Sequence, residues 1–205
     1  MHAALQEFYT ALINAEGDGR PVPVLADLLR MGEAHARRAF GPDDIDEALR
    51  QIRAMLTNVL EALEDNAAEQ IEAIERKTVY AYTAADGTTH TMDAKLDRVD
   101  RLRDRTVRVI DYKTGQASKK LLEPDAGDLQ LGIYAMALPH LLQEPEIPAG
   151  VAEYWCLSEG KKGVINLADL KLDKVRKTID KAAAGILNGE FLRGKECGGF
   201  CTLLG

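Results

Sequence analysis

Two segments carry residue types that can do chemistry together: Asp93-Ala-Lys-Leu-Asp-Arg-Val-Asp-Arg-Leu102 and Val107-Arg-Val-Ile-Asp-Tyr-Lys-Thr-Gly115. Both read as strands. A period of two puts Asp93, Lys95, Asp97 and Val99 on one face, and Val107, Val109, Asp111 and Lys113 on one face of the next strand. The polar Arg103-Asp-Arg105 between them predicts a turn. With the turn centred on Asp104, antiparallel pairing sets Asp97 opposite Asp111 and Lys95 opposite Lys113. Like charges facing across strands are destabilising, and neighbouring carboxylates resist ionising together. A divalent cation resolves the conflict, because Mg²⁺ and Mn²⁺ take carboxylate, carbonyl and water oxygens. The peptide carbonyl of Tyr112 is a further candidate ligand. Such an ion would polarise a scissile phosphate and lower the pKa of a bound water. Lys113 would orient that water or stabilise the pentacovalent transition state.

The same residues admit a plainer reading, an exposed hairpin face with surface salt bridges, since Asp-x-Lys alone is common. The paired Asp97, the apolar lead-in and the Gly115 exit favour the site. Arg98, Asp100, Arg101 and Arg108 fall on the other phase and are expected to form a solvated ion-pair face.

The elements that must position these residues follow from periodicity. Residues 1–15, 25–40 and 45–74 read as helices. The third carries an apolar stripe of Leu49, Ile52, Met55, Leu56, Val59 and Leu63. Residues 78–83 are β-rich, Asp86-Gly87 is a hairpin turn, and strands are expected at about 90–101 and 107–113. A helix over 127–142, a strand over 151–157, a short strand near 164–166 and a last helix over 170–187 complete the order. That order predicts an α/β fold with a mixed sheet and helices packed on it.

Three motifs resemble the RecB-like PD-(D/E)xK nucleases. These are Lys95-Leu-Asp-Arg-Val-Asp100, Val109-Ile-Asp-Tyr-Lys-Thr-Gly115, and Asp128-Leu-Gln-Leu-Gly-Ile-Tyr-Ala-Met-Ala-Leu138, in the family's order. The resemblance implies a restriction-endonuclease-like arrangement: a mixed central sheet flanked by helices, with a helical N-terminal region. It implies Asp97 and Asp111 as metal ligands, Lys113 as the catalytic lysine, and Gln130 and Tyr134 turned toward the site. Their i, i+4 spacing does place those two on one helix face, where ordinary surface packing is the alternative. It implies an Mg²⁺- or Mn²⁺-dependent, exonuclease-like deoxyribonuclease of DNA repair or recombination, with DNA as partner and a helicase domain or subunit as a possible second. The alternative is a non-catalytic DNA-binding or scaffolding domain that kept the fold.

The family also carries a histidine on an early helix, which His2 matches and His35 matches with spacing one residue short. The glycine that precedes this motif in the family would lie before Met1, which points to a domain cut from a larger protein. Glu75 resembles an acidic position that precedes the family's sheet. Cys197-Gly-Gly-Phe-Cys201 resembles the cysteine cluster of [4Fe–4S]-bearing relatives, but such clusters take four cysteines. Only three occur here, so free or weakly metal-binding thiols are expected. The division is one domain over 1–205, with a helical lead-in to 75, a nuclease core over 76–190 and a cysteine-containing tail.

Composition bounds the rest. A chain of 205 residues, 46% hydrophobic, can build its core without disulfide or metal staples. A net charge of −7 excludes a generic basic nucleic-acid coat but not an enzyme that holds DNA through metal and a local basic patch. No apolar run is long enough to cross a bilayer. The opening residues lack a basic stretch followed by an apolar one, so no membrane partner and a cytoplasmic location are expected. Lys119, Lys120, Lys161, Lys162, Lys171, Lys174, Arg176 and Lys177 are candidate phosphate contacts, or simply the solvated face of the last helix and its preceding loop.

Overall fold

The structure, a computed structural model, describes residues 1–64 and 68–189, with the backbone alone at Glu16 and Gly17. Three helices lead: α1 (His2–Asp18), α2 (Leu25–Ala39) and α3 (Ile45–Asn58), the last running into a π-helical turn over Val59–Leu63. Strands β1 (Gln70–Thr83), β2 (Thr89–Arg101) and β3 (Val107–Lys113) follow, then α4 (Lys119–Leu122), α5 (Leu129–Leu142), β4 (Gly150–Cys156), β5 (Lys161–Asn166) and α6 (Leu172–Leu187). The sheet order is β1-β2-β3-β4-β5, antiparallel except for the β3–β4 pair, which α4 and α5 connect. This is the mixed sheet flanked by helices that the sequence predicts. Among the described residues, no helix is long and apolar enough to cross a membrane.

The central strand explains the layering. Every β3 residue before Lys113 is buried, so each of its faces must be covered. Val107 and Val109 face α5, where Leu131, Ala135 and Leu138 meet them together with Ala152 of β4. Ile110 and Tyr112 face the other way, against Leu5, Phe8, Leu56 and Leu63 of the N-terminal helices and Trp155 of β4. The predicted turn forms. Asp104 Oδ1 accepts from the Thr106 backbone N–H at 3.0 Å and from the Thr106 hydroxyl, and Arg105 takes a left-handed φ of 70°. The resulting pairs Arg98–Ile110, Val99–Val109, Asp100–Arg108 and Arg101–Val107 lie equally far from Asp104, as the turn requires.

Two expectations fail on geometry. The third helix does not run to residue 74; its residues 70–74 begin β1. Ile71 and Ile74, three apart, imitate a helical stripe. A register shift between Ile71 and Ala73 lets both pack on the helical layer while Ala73 faces α5. Nor do Asp93, Lys95, Asp97 and Val99 share a face. Ala94 and Leu96 pack with Val99 in the α5-side core, so alternation breaks at Asp97. The partner position on β1 is Glu75, whose φ is 48°.

The expected solvated ion-pair face is also overturned. Arg98 is 1% exposed, Asp100 0% and Arg108 1%. Arg98 Nε and Arg108 Nη2 each donate to Asp100 at 2.7 Å, and both guanidiniums reach Glu64 beyond the π-helical turn. Tyr9 lies over Arg98, 4.1 Å from ring centroid to guanidinium carbon, and donates to Glu64 at 2.9 Å. Two arginines and two carboxylates cancel, which makes their burial tolerable. Alternation could not reveal this, because the covering group arrives from a helix more than thirty residues away.

Burial alone would raise the Glu64 pKa, but Arg98 and Arg108 hold it below the usual glutamate value. A depressed folded-state pKa contributes stability that is full above the unfolded pKa, about 4.3, and is lost as pH falls through the lower folded value. Glu64→Gln should therefore be destabilised at neutral pH by about 3 kcal/mol. Its urea midpoint should also fall less on acidification than that of wild type. Parallel pH curves for the two proteins would refute this account.

Candidate metal centre and basic cleft

The site arises where β2 and β3 part. Their pairing ends at Arg98–Ile110, whereas β3 continues along β4 to the Lys113–Cys156 pair. Beyond the fork, the Tyr112 N–H donates to Asp97 Oδ2 at 2.8 Å. The Asp97 side chain thus replaces the missing strand partner and is held beside Asp111, the position opposite it in the register.

Asp111 is 3% exposed. Its Oδ1 accepts from the Tyr134 hydroxyl at 2.9 Å and from Gln130 Nε2. Its Oδ2 is buried and ion-paired with Lys113 Nζ at 2.7 Å. Burial raises the Asp111 pKa, Lys113 opposes that rise, and the Asp97 carboxylate adds to it. Lys113 Nζ donates to Gln130 Oε1 at 2.8 Å and sits 5.1 Å from the centroid of the Tyr154 ring. Gln130 therefore bridges the acid and the lysine, and also donates to the Tyr134 oxygen at 3.1 Å.

Gln130 and Tyr134 owe their aim to the start of α5. Buried Asp128 caps that helix, accepting from the Leu131 N–H at 3.0 Å and from the Tyr154 hydroxyl at 2.8 Å. Sequence reasoning gave Asp128 and Tyr154 no role. An aspartate just before an apolar helical run was the available signal for the first. Nothing local marks the second.

On the other side of Asp97 stands His2, the first residue of α1. Its Nδ1 is 2.8 Å from Glu75 Oε1 and 3.4 Å from Asp97 Oδ1. Asp97 and Glu75 raise the imidazole pKa to about 9 against the cost of its burial. Glu75 also pairs with Lys95. Ligand atoms of His2, Glu75 and Asp97 all lie within 4.8 Å of one another. His35 is elsewhere, paired with Glu7 at 2.9 Å on the surface. Cys197 and Cys201 lie outside the described residues. Lys95 does not face Lys113 across a ladder, because the β2–β3 pairing ends at Arg98–Ile110. Both lysines nevertheless line one cleft of about 440 Å³, with Lys120, Gln130, Tyr134 and Tyr154.

These donors fit a divalent cation. Carboxylate oxygens and an imidazole nitrogen are donors that divalent cations take, and the ligand atoms of His2, Glu75 and Asp97 are close enough to share one. Lys113 touches Asp111 and also lines the cleft, where its ammonium group and those of Lys95 and Lys120 suit an anionic substrate.

Comparison with known proteins gives a match to the family model of the PD-(D/E)XK nuclease superfamily over residues 1–203. No curated protein matches the sequence. Among solved structures, one titled "Crystal structure of SSO0001" is similar at 16% identity, covering 88% of this chain and 83% of that one, with a TM-score of 0.40.

Metal binding can be tested without any substrate. Mn²⁺ at about a hundredfold over its dissociation constant should stabilise the wild-type fold by about 2.7 kcal/mol. Asp97→Asn should lose most of that gain. An equal thermal shift in the variant would remove Asp97 from the ligand set.

Proposed function

The chain belongs to the PD-(D/E)XK nuclease superfamily, and on that premise we propose that it is a divalent-metal-dependent deoxyribonuclease whose catalytic residues are Asp97, Asp111 and Lys113. The observation that carries this reading is the convergence of those three residues at the β2–β3 fork, with Asp97 held by the Tyr112 N–H and Asp111 ion-paired with Lys113. In this reading Asp97, Asp111 and the Tyr112 carbonyl hold the metal, with His2 and Glu75 completing the donor set. When bound, the ion supplies Lewis-acid polarisation of the phosphate and a water of lowered pKa.

The chain's own groups do the rest. Lys113 carries its charge beside Asp111, where it can orient the attacking water and stabilise negative charge on the phosphate in the transition state. Gln130 fixes the lysine and the acid relative to each other, and the Tyr134 hydroxyl fixes the acid. Such positioning lowers the reorganisation that the reaction itself would otherwise require. We assign the whole chain to one nuclease domain of the RecB-like type, exonuclease-like in action, serving DNA repair or recombination and working beside a helicase domain or subunit. The three sequence motifs support that finer assignment.

Degradation of single- and double-stranded DNA should depend on added Mn²⁺ or Mg²⁺. Lys113→Ala should lower the rate roughly a hundredfold or more while Mn²⁺ still raises the melting temperature. Loss of metal binding together with cleavage would make Lys113 a structural residue. No cleavage by wild type with any metal or DNA end would favour the scaffolding alternative.

A further inference from the structure

The cleft beside Lys113 holds three ammonium groups delivered by three elements: Lys95 from β2, Lys113 from β3 and Lys120 from α4. Their situations differ. Lys113 is engaged by Asp111 and Gln130, and Lys95 by Glu75. Lys120 is exposed, and its charge acts on Asp125 at longer range than the direct pairs of the other two. The acids nearby are taken. Asp93 pairs with Lys77, and Asp128 accepts from Leu131 and Tyr154. Asp125 accepts from the Gly127 N–H at 2.6 Å and pairs with Lys174 at 3.4 Å. Of the three lysines, Lys120 carries the ammonium group least engaged by the protein's own acids, in a protein whose net charge is −7.

Its placement is also fixed by the main chain. Ser118 caps α4 through the Leu121 N–H, and Leu121 packs against the α5-side core. A Cβ on Gly163 of β5 would lie 2.0 Å from the Leu121 carbonyl oxygen, so α4 rests flush on the sheet at a point where only glycine fits. A long cation on so firmly seated a turn is a directed anchor rather than one charge among many on a mobile loop.

We infer that Lys120 binds a backbone phosphate of the nucleic acid next to the one that Lys113 serves, and so sets how the strand lies across the site. This rests on the nuclease reading above. An oligonucleotide is the anion that fits, because it presents a second phosphate within reach of a second cation in the same cleft, and such contacts position a strand without reading its sequence.

The probe is a short fluorescein-labelled single-stranded oligodeoxynucleotide with Mn²⁺. Lys120→Ala should raise KM about five- to tenfold at low salt with kcat retained, and should flatten the dependence of log kcat/KM on log salt by about 0.7. Lys120→Arg should restore both. Lys119→Ala should change neither, because Lys119 points away to Glu123, 3.7 Å off. A wild-type KM and salt slope in Lys120→Ala would overturn the inference, as would a fall in kcat alone. If wild type cleaves nothing, anisotropy of the same oligonucleotide still decides. Weaker binding by Lys120→Ala would then keep the contact and remove the nuclease reading, whereas equal binding, or none by wild type, would remove the contact as well.

Discussion

One hydrogen bond organises the working end of this protein: the Tyr112 backbone N–H donated to the Asp97 carboxylate. A buried amide without a partner is costly, and β3 leaves one where β2 turns aside. Meeting that need with a charged side chain, not another strand, brings an acid to the rim of the sheet beside Asp111. The break in β2 alternation at Asp97 and the left-handed backbone of Glu75 are the local distortions that accompany this solution. They place Glu75, Asp97 and His2 within reach of one ion.

The same pair of strands carries charge in two contrasting ways. Toward the N-terminal helices, Arg98, Arg108, Asp100 and Glu64 form a closed, hydrogen-bonded set of zero net charge. Such a set specifies how the helical layer seats on the sheet, because moving Glu64 would strand two buried guanidiniums. At the fork, Glu75, Asp97 and Asp111 are met by Lys95, Lys113 and the His2 imidazole. On the cleft side that balance is reached by Lys95 and Lys113, whose ammonium groups line the cleft. The closed set serves stability, while the open one leaves ligand positions available.

Much of this was legible in the residues. Asp104 at a polar turn fixed the β2–β3 register, and the apolar run of β3 showed a central strand. The i, i+4 spacing put Gln130 and Tyr134 on one helix face, and the family resemblance implied that this face meets the site. What was hidden depended on contacts across the chain. Ile71 and Ile74 read as a helical stripe because a bulge in a strand reproduces that spacing. Arg98, Asp100 and Arg108 read as surface charges because nothing local announces that Glu64 will cover them. Glu75 could be noticed by resemblance, but its approach to Asp97 follows from a backbone twist that no residue type encodes.

The arrangement at Tyr112 has a consequence for observation. Most amides in a central strand are protected by the neighbouring backbone, so they exchange with solvent only when the sheet opens. This one is protected by a single side chain. Its proton will exchange whenever Asp97 is drawn elsewhere or neutralised, long before the surrounding strands loosen, and its NMR resonance is a built-in gauge of what that carboxylate is doing.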